Sequence, residues 1–328
     1  MIISRTPYRL SFFGGGTDHP SWYKVNESLV ISTTIDKYCY VTLRNLPPFF
    51  NFNYRLRYFK KEEVNLVNQI KHPVIRECLK LFSYKKGIDL SYIGDIPAMS
   101  GVGSSSAFTV SMVNALNTLI GNHSTKRELA NSALKIEQDI LKENVGSQDQ
   151  ISCSFGGFNI INFHKNKFDV NPISINSNAT KAIEDSVFLL FTGITRNSEK
   201  IAKSQIDNIP KSTEILKEMN QLAVQARDMV VSSNFDIKKF GKMMHYQWTL
   251  KKNLNIKSSN NLIDKIYKQG IESGAYGGKI IGAGGGGFVL FICNKKAKKK
   301  LAEIFKRYLI LPIKFEYTGS QIVYYSHS

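Results

Sequence analysis

An α+β fold in two units that share a cleft is what this sequence predicts, and three observations predict it. The first 60 residues are rich in alternating β-branched and aromatic side chains, helical periodicity is grouped towards the middle, and the last 50 residues return to strand, helix and strand around a glycine cluster at 282–287. A chain of 328 residues buries a large core and divides naturally into two domains. The polar, asparagine-rich stretch Asn171–Thr180 is the expected boundary, giving units 1–170 and 171–328.

The elements follow in order. VISTTIDKYCYVTL (Val30–Leu43) alternates like a strand, and Pro47 and Pro48 stop it. KHPVIRECLKLFS (71–83) reads as a short amphipathic helix, and IDLSYIGDIP (88–97) as a strand running into a loop. A helix follows, with Ala107, Val110, Val113, Leu116 and Ile120 on one stripe and Gly121-Asn122 as its stop. Thr-Lys-Arg-Glu from Thr125 is a capping box that opens the next helix. Strands are expected at 151–163 around Gly156-Gly157, and SVFLLFTG (Ser186–Gly193) reads as a buried strand. Long helical patterns run over 197–231 and 236–252, with no internal repeat and no low-complexity linker.

Composition narrows the function classes. Hydrophobic content of 42% and charged content of 21% are those of a globular protein, which argues against disorder. No apolar run approaches the roughly 18 to 20 residues a membrane helix needs. The opening MIISRTPYRLSFF lacks the basic leader and apolar stretch of a secretory signal, so a cytoplasmic protein is expected. Cys39, Cys78, Cys153 and Cys293 are widely spaced with no CxxC pair, which fits reduced, buried thiols and argues against structural zinc.

The net charge of +18 is compatible with nucleic acid, an anionic membrane or phosphorylated small molecules. The densest basic run, NKKAKKKLAEIFKR (294–307), reads as the solvated face of a helix whose Leu301, Ile304 and Phe305 turn inward. No helix-turn-helix, zinc-finger or RNP signature accompanies it, so neither nucleic acid nor membrane is the expected partner. An acidic small-molecule substrate is the simpler account of the sign.

Three glycine-rich places and two carboxylates carry the chemistry. RLSFFGGGTDHPSWY (9–23) puts three glycines after an apolar run, either for a tight turn or for close approach to a ligand. PAMSGVGSSSA (97–107) lies between a strand and a strongly periodic helix, where free amides and the positive helix end attract phosphate. It is not a Walker A loop, since the lysine is missing, and serine capping accounts for only one of its three serines.

Glu137 has Ala133, Leu134, Ile140 and Leu141 three and four positions away, so its carboxylate emerges on an inward stripe. A buried carboxylate calls for a cation, either a lysine or arginine or a Mg²⁺ shared with a serine hydroxyl and nucleotide phosphates. Asp149 follows a glycine-led loop, a position from which a side chain enters a cleft. KIIGAGGGGFVLFI (279–292) places five glycines in six residues between apolar strands with no helix directly after, which excludes a Rossmann fingerprint.

In this order and at these separations the three stretches resemble the three motifs of the GHMP kinase superfamily, with RTPYRLSFFGGGTD matching the first, PAMSGVGSSSAF the second and KIIGAGGGGFVLF the third. The likeness covers essentially the whole chain. It implies a ribosomal-S5-like N-terminal domain, a ferredoxin-like C-terminal domain and MgATP in the cleft between them. Within the superfamily, GGGTDHPSWY is similar to the GGGTD-P-S-Y-Y pattern of the D-glycero-D-manno-heptose 7-phosphate kinases, and less similar to the GEHTDY of galactokinases or the GGWTD of fucokinases. His19 departs from that pattern, which has leucine there.

The resemblance implies roles residue by residue. Gly101, Val102, Gly103, Ser104, Ser105 and Ser106 would cradle the nucleotide phosphates, and Ser105 (or Ser104) with Glu137 would hold Mg²⁺. Asp149 would accept the proton of the sugar's anomeric hydroxyl, and Arg9 would stabilise charge on the oxyanion and the transferring phosphoryl group. Asp18, presented by Gly15, Gly16 and Thr17, would hydrogen-bond sugar hydroxyls. The loop Gly284–Gly287, including Gly285, would close the substrate side, and Arg196 in TGITRNS is the candidate for the substrate's own phosphate. The implied reaction is phosphorylation of heptose 7-phosphate at its anomeric oxygen, in the making of surface polysaccharide precursors. The alternatives are a fucokinase-like or galactokinase-like enzyme acting on an unphosphorylated sugar, and a sensor that binds nucleotide and sugar without transfer.

Overall fold

The computed structural model describes residues 1–165, 167–173, 177–195, 212–255 and 258–326. The first strand, β1 (Ile2–Phe13), leads through the short helix α1 (Pro20–Tyr23) into the long strand β2 (Ser28–Asn45). The hairpin β3 (Tyr54–Arg57) and β4 (Lys61–Val64), helix α2 (Pro73–Leu81) and strand β5 (Ile88–Gly94) come next. Helices α3 (Ser104–Leu119), α4 (Lys126–Leu134), which runs on into a π-helical turn over Lys135–Ile140, and α5 (Gln148–Phe155) precede strands β6 (Phe158–His164) and β7 (Lys167–Pro172).

These strands, with β12 (Phe315–Glu316) and β13 (Gln321–Tyr325) from the chain's end, make a nine-stranded sheet in the order β13-β1-β2-β5-β3-β4, with β6 and β12 on β2 and β7 beyond β6. One half of β2 pairs β6 and the other half pairs β5, so this strand spans both wings of the sheet. Between Pro7 and Arg9, and again between Ser11 and Phe13, the β1–β2 register shifts. Such irregularities re-aim side chains, and Pro7, which has no N–H to donate, sits at the first of them.

The second half begins with α6 (Ser177–Ser186) and β8 (Val187–Phe191). Helices α7 (Thr213–Val231), α8 (Ile237–Leu254) and α9 (Asn261–Glu272) follow, then β9 (Gly277–Ile280), β10 (Phe288–Ile292), α10 (Lys295–Ile304) and β11 (Leu309–Leu311). The order β11-β8-β10-β9, antiparallel throughout, is that of a ferredoxin-like βαββαβ unit with extra helices in its first crossover. The chain then returns, and β12 (Phe315–Glu316) and β13 (Gln321–Tyr325) pair with β2 and β1 of the first sheet.

One buried cluster runs from the first sheet into the second, and the Phe240 ring meets Phe12 and Phe13 at centroid distances of 5.9 and 5.1 Å. Apolar area shared in this way holds the two units in a fixed relation. All four cysteines are free and buried, and burial raises each thiol pKa. Among the described residues no helix is long and apolar enough to cross a membrane.

The structure departs from the sequence reading at several elements, among them the following. Residues 148–155 form α5 rather than strand, because Ile151, Cys153 and Phe155 alternate as a strand would while the segment is buried on nearly all sides and has no period to show. Helix α9, capped by Asn260 and burying Ile263, Ile266 and Tyr267, was not anticipated. On α10, Leu301 and Phe305 are buried as expected, but Ile304 is 43% exposed. The first part of the pattern expected at 197–231 lies outside the described residues until α7 begins.

Candidate active site

A cleft of about 180 Å³ opens between the two units. Its walls come from the end of β1, the loop before α3, the start of α5, helices α7 and α8, and β9 with the turn after it.

The Gly14–Gly16 turn is built by close backbone approach. A Cβ at Gly14 would lie 1.9 Å from the Leu29 carbonyl oxygen, on a backbone with φ +80°, so no side chain fits. Thr17 is wholly buried and does not line the cleft. Its hydroxyl donates to the Gly14 carbonyl (2.8 Å) and accepts from Ser28 Oγ (2.7 Å), locking the turn. Asp18 does face the cleft, at 3% exposure, its Oδ1 accepting from the Gly16 amide (2.8 Å) and its Oδ2 from the Gln148 amide (3.3 Å). Burial raises the Asp18 pKa, and the nearby Asp149 charge adds to the rise.

Arg9 and Asp149, 140 residues apart in sequence, meet as a bidentate pair. Arg9 Nε donates to Oδ1 at 2.7 Å and Nη2 to Oδ2 at 2.6 Å, while Nη1 donates to the Gly101 carbonyl at 2.6 Å. Charge-assisted, planar pairing of this kind fixes both groups in orientation. The Arg9 backbone amide donates to the Val102 carbonyl (3.0 Å), so the second glycine-rich loop grips β1 by main chain and side chain together. Val102 itself is fully buried and outside the cleft wall.

Gly101 (φ +88°) and Gly103 (φ +75°) turn the chain into α3, whose N-cap, Gly103, offers no side-chain hydrogen bond to the first amides. Those unpaired donors open onto the cleft beside Ser104, Ser105 and Ser106. Ser104 Oγ accepts from the Met99 amide (3.2 Å), and Ser105 is exposed. Ser106 Oγ turns the other way and donates to Glu137 (2.9 Å).

Glu137 is completely buried on the π-helical turn, as its inward stripe implied. Its partners are neutral: besides Ser106, Thr109 Oγ1 donates at 2.5 Å and Gln150 Nε2 at 2.5 Å. Burial pushes its pKa up to about 7, against the lowering effect of those donors. Gln150 and Asp149 are neighbours on α5, so both carboxylates flank the start of α3. Among the described residues no group of three or more His, Cys, Asp or Glu side chains could hold a metal by itself. A buried carboxylate among hydroxyls is nonetheless a hard-oxygen donor set without a compensating charge, of the kind Mg²⁺ takes, but Glu137 itself does not line the cleft and reaches its wall through Ser106.

The third glycine-rich loop packs against the second, main chain to main chain. A Cβ at Gly282 would lie 2.7 Å from the Gly101 carbonyl oxygen, and one at Gly287 2.1 Å from that of Ser100. Gly285 is held by Ser258, whose carbonyl accepts its amide at 2.6 Å, and by Asn260 (3.2 Å); Gly282 and Ala283, not Gly285, line the cleft. Arg196 lies outside the described residues.

Several cleft residues escaped the sequence reading, Ser11, Gln148, Lys251 and Lys279, and His19, noted there only as a departure from the motif, also lines the cleft. Lys279, 2% exposed, donates to the Phe12 carbonyl (3.0 Å); burial carries its pKa well below the usual lysine range, and Lys251 and Arg9 carry it further. Its signal was a lysine opening an otherwise apolar and glycine-rich strand.

Chain comparison gives this architecture its class. The model for the GHMP kinases N terminal domain matches residues 65–157 and that for the GHMP kinases C terminal region matches 229–311, together more than half of the chain. By these matches the protein is a kinase. It belongs to the GHMP kinases.

The D-glycero-alpha-D-manno-heptose 7-phosphate kinase of Campylobacter jejuni is 29% identical, over 93% of each chain. The crystal structure of a D-glycero-D-manno-heptose 1-phosphate kinase from Bacteriodes thetaiotaomicron is similar over 100% of both chains, with a TM-score of 0.81 and 20% identity. A Lactococcus lactis galactokinase complexed with galactose has a TM-score of 0.71 and 17% identity, over 98% of this chain and 94% of that one.

Proposed function

We propose that the protein is an ATP-dependent, Mg²⁺-requiring sugar kinase that phosphorylates the anomeric hydroxyl of D-glycero-D-manno-heptose 7-phosphate. The product is then the 1,7-bisphosphate, a precursor of the nucleotide-activated heptose of capsule, lipopolysaccharide or S-layer glycans. The observation that carries the reading is the Arg9–Asp149 pair, set in the cleft between the free amides of α3 and Asp18. The choice of sugar is supported by the Campylobacter relative of that name, which aligns over 93% of each chain.

Asp149, its side chain 23% exposed beside an Arg9 that is 4% exposed, would take the proton of an attacking hydroxyl. Accepting it neutralises the carboxylate and leaves the Arg9 charge uncompensated as negative charge gathers on the transferring phosphoryl group. The amides of Gly101 to Ser106 receive the phosphates, and Asp18 orients the sugar. Ser105 and Glu137 would hold Mg²⁺, which supplies neutralisation of phosphate charge.

The test is ADP release with heptose 7-phosphate and with unphosphorylated heptose, galactose and fucose. Turnover confined to heptose 7-phosphate, with a 1,7-bisphosphate product, is expected. Turnover of free sugars alone, or no ADP release with any of them, refutes the assignment.

A further inference from the structure

Among the described residues, two polar atoms in the cleft wall have no partner. Ser11, on β1, is 3% exposed and Gln148, first residue of α5, is 9% exposed; Ser11 Oγ and Gln148 Oε1 are both buried without a hydrogen bond. Orphaned polar atoms cost stability, so a folded chain satisfies nearly all of them. Here both belong to residues that line the substrate cleft, and Asp18 lies between their elements, accepting from the Gln148 amide.

Gly15 connects the two. A Cβ on Gly15 would stand 3.5 Å from Gln148 Nε2 and 3.5 Å from Ser11 Oγ, so the space above this residue is bounded by both side chains. Unlike Gly14 and Gly16, Gly15 does not have a positive φ. Its backbone is therefore not in the left-handed region that favours glycine, and glycine here keeps room rather than conformation.

We propose that Ser11, Gln148 and Gly15 form a subsite for a neutral hydroxyl group of the sugar, beside the hydroxyl held by Asp18. A hydroxyl both donates and accepts, as do Ser11 Oγ and a carboxamide, so each orphan is satisfied when the sugar is seated. The neighbouring Asp18 carboxylate repels a phosphate, so the subsite favours the uncharged end of a sugar phosphate. This inference rests on the sugar-kinase reading and adds to it the residues that choose the orientation.

The experiment measures heptose 7-phosphate and galactose binding by titration calorimetry, separately from ADP release, for wild type, Ser11→Ala, Gln148→Met and Gly15→Ala. The Kd of the sugar that wild type binds is expected to rise about tenfold in each variant, roughly the loss of one good hydrogen bond, with the KM for ATP unchanged. Ser11→Ala removes an orphan, so the unliganded protein is expected to melt no lower than wild type; a merely structural serine would lower it.

Unchanged sugar affinity in all three variants overturns the subsite and leaves the kinase standing. Weakened sugar binding in a protein that releases no ADP keeps the subsite and overturns the kinase. A wild type that binds neither sugar overturns both.

Discussion

The contact between the second and third glycine-rich loops can be measured with a matched pair of substitutions. Gly287 has φ +82° and Gly121, just past α3, has φ +83°, so alanine meets the same backbone penalty at both, about 1 to 2 kcal/mol. Around Gly121 a Cβ finds nothing within 4 Å, whereas at Gly287 it lies 2.1 Å from the Ser100 carbonyl oxygen. Real contacts of this kind do not fall below 3.0 Å, so one loop must retreat by close to an ångström. Gly287 cannot yield easily. Its amide donates to the Ile194 carbonyl (2.8 Å) and its own carbonyl accepts from the Thr192 amide (2.9 Å) and hydroxyl (2.8 Å).

Overpacking of this order adds about 1 to 3 kcal/mol, so Gly287→Ala is expected to lose about 2 to 5 kcal/mol against about 1 to 2 for Gly121→Ala. The displaced Ser100–Gly101 segment carries the carbonyl that Arg9 Nη1 holds, so the KM for ATP is expected to rise about tenfold in Gly287→Ala only. Urea unfolding midpoints and ATP titrations of the two variants decide it. Equal destabilisation with an unchanged ATP KM in both would show that the loops do not press on each other.

Three further outcomes follow from the site and its surroundings. Asp149→Asn keeps the size of the side chain but not the base, so kcat is expected to fall about 10² to 10⁴-fold with the ATP KM little changed; an unaltered kcat in steady-state assays would remove Asp149 from proton transfer. Glu137 has its pKa raised from 4.5 to about 7, so its share of stability is present below pH 4.5 and lost as pH rises through 7. Metal-free thermal melts between pH 5 and 8 should show that loss, Mg²⁺ with ADP should reverse it at pH 8, and Glu137→Gln should abolish both; a Gln variant with the wild-type response counts against a metal role. Asp89, 4% exposed, is paired with Arg44, Arg55 and Arg57, and although burial raises its pKa the Arg55 and Arg44 hydrogen bonds outweigh that and lower it. The resulting stability is present above its unfolded pKa and lost as pH falls through the folded one, so Asp89→Asn should destabilise at pH 7, by about 1 to 3 kcal/mol, and hardly at all in strong acid.

What the sequence revealed of the site depended on whether a residue's neighbours in the chain are also its neighbours in space. Glu137 was legible because its own helix surrounds it with apolar side chains, so inward burial follows from periodicity alone. Its partners were not, because Ser106 and Thr109 lie 31 and 28 residues away on another helix, and the groups that bond it there are hydroxyls and a carboxamide rather than the lysine or arginine that was one of its two expected partners. Asp149 was found through the company it keeps with the glycine-rich motifs, although the segment that follows it is α5 and not strand. Lys279 sits in a motif that was read for its glycines alone. Ser11 and Gln148 offered no local pattern, since an isolated serine in a strand and a glutamine at a helix start are ordinary residues whose lack of a partner shows only in three dimensions.

The glycines themselves illustrate the same division. Five glycines in six residues lower stability unless the backbone meets something closely, and the motif the stretch resembles implies a ligand as that body. At Gly282 and Gly287 it is the backbone of Ser100 and Gly101, and at Gly14 it is that of Leu29. Each glycine-rich stretch is thus partly a joint between segments distant in sequence, and the cleft exists because these joints bring Arg9, the α3 amides and Asp149 to one place. Gly15 differs from these joints: its φ is not positive and a Cβ there would meet the Gln148 and Ser11 side chains, each at 3.5 Å, so its missing side chain leaves room between two cleft residues where Gly14, Gly282 and Gly287 mark contacts between backbones.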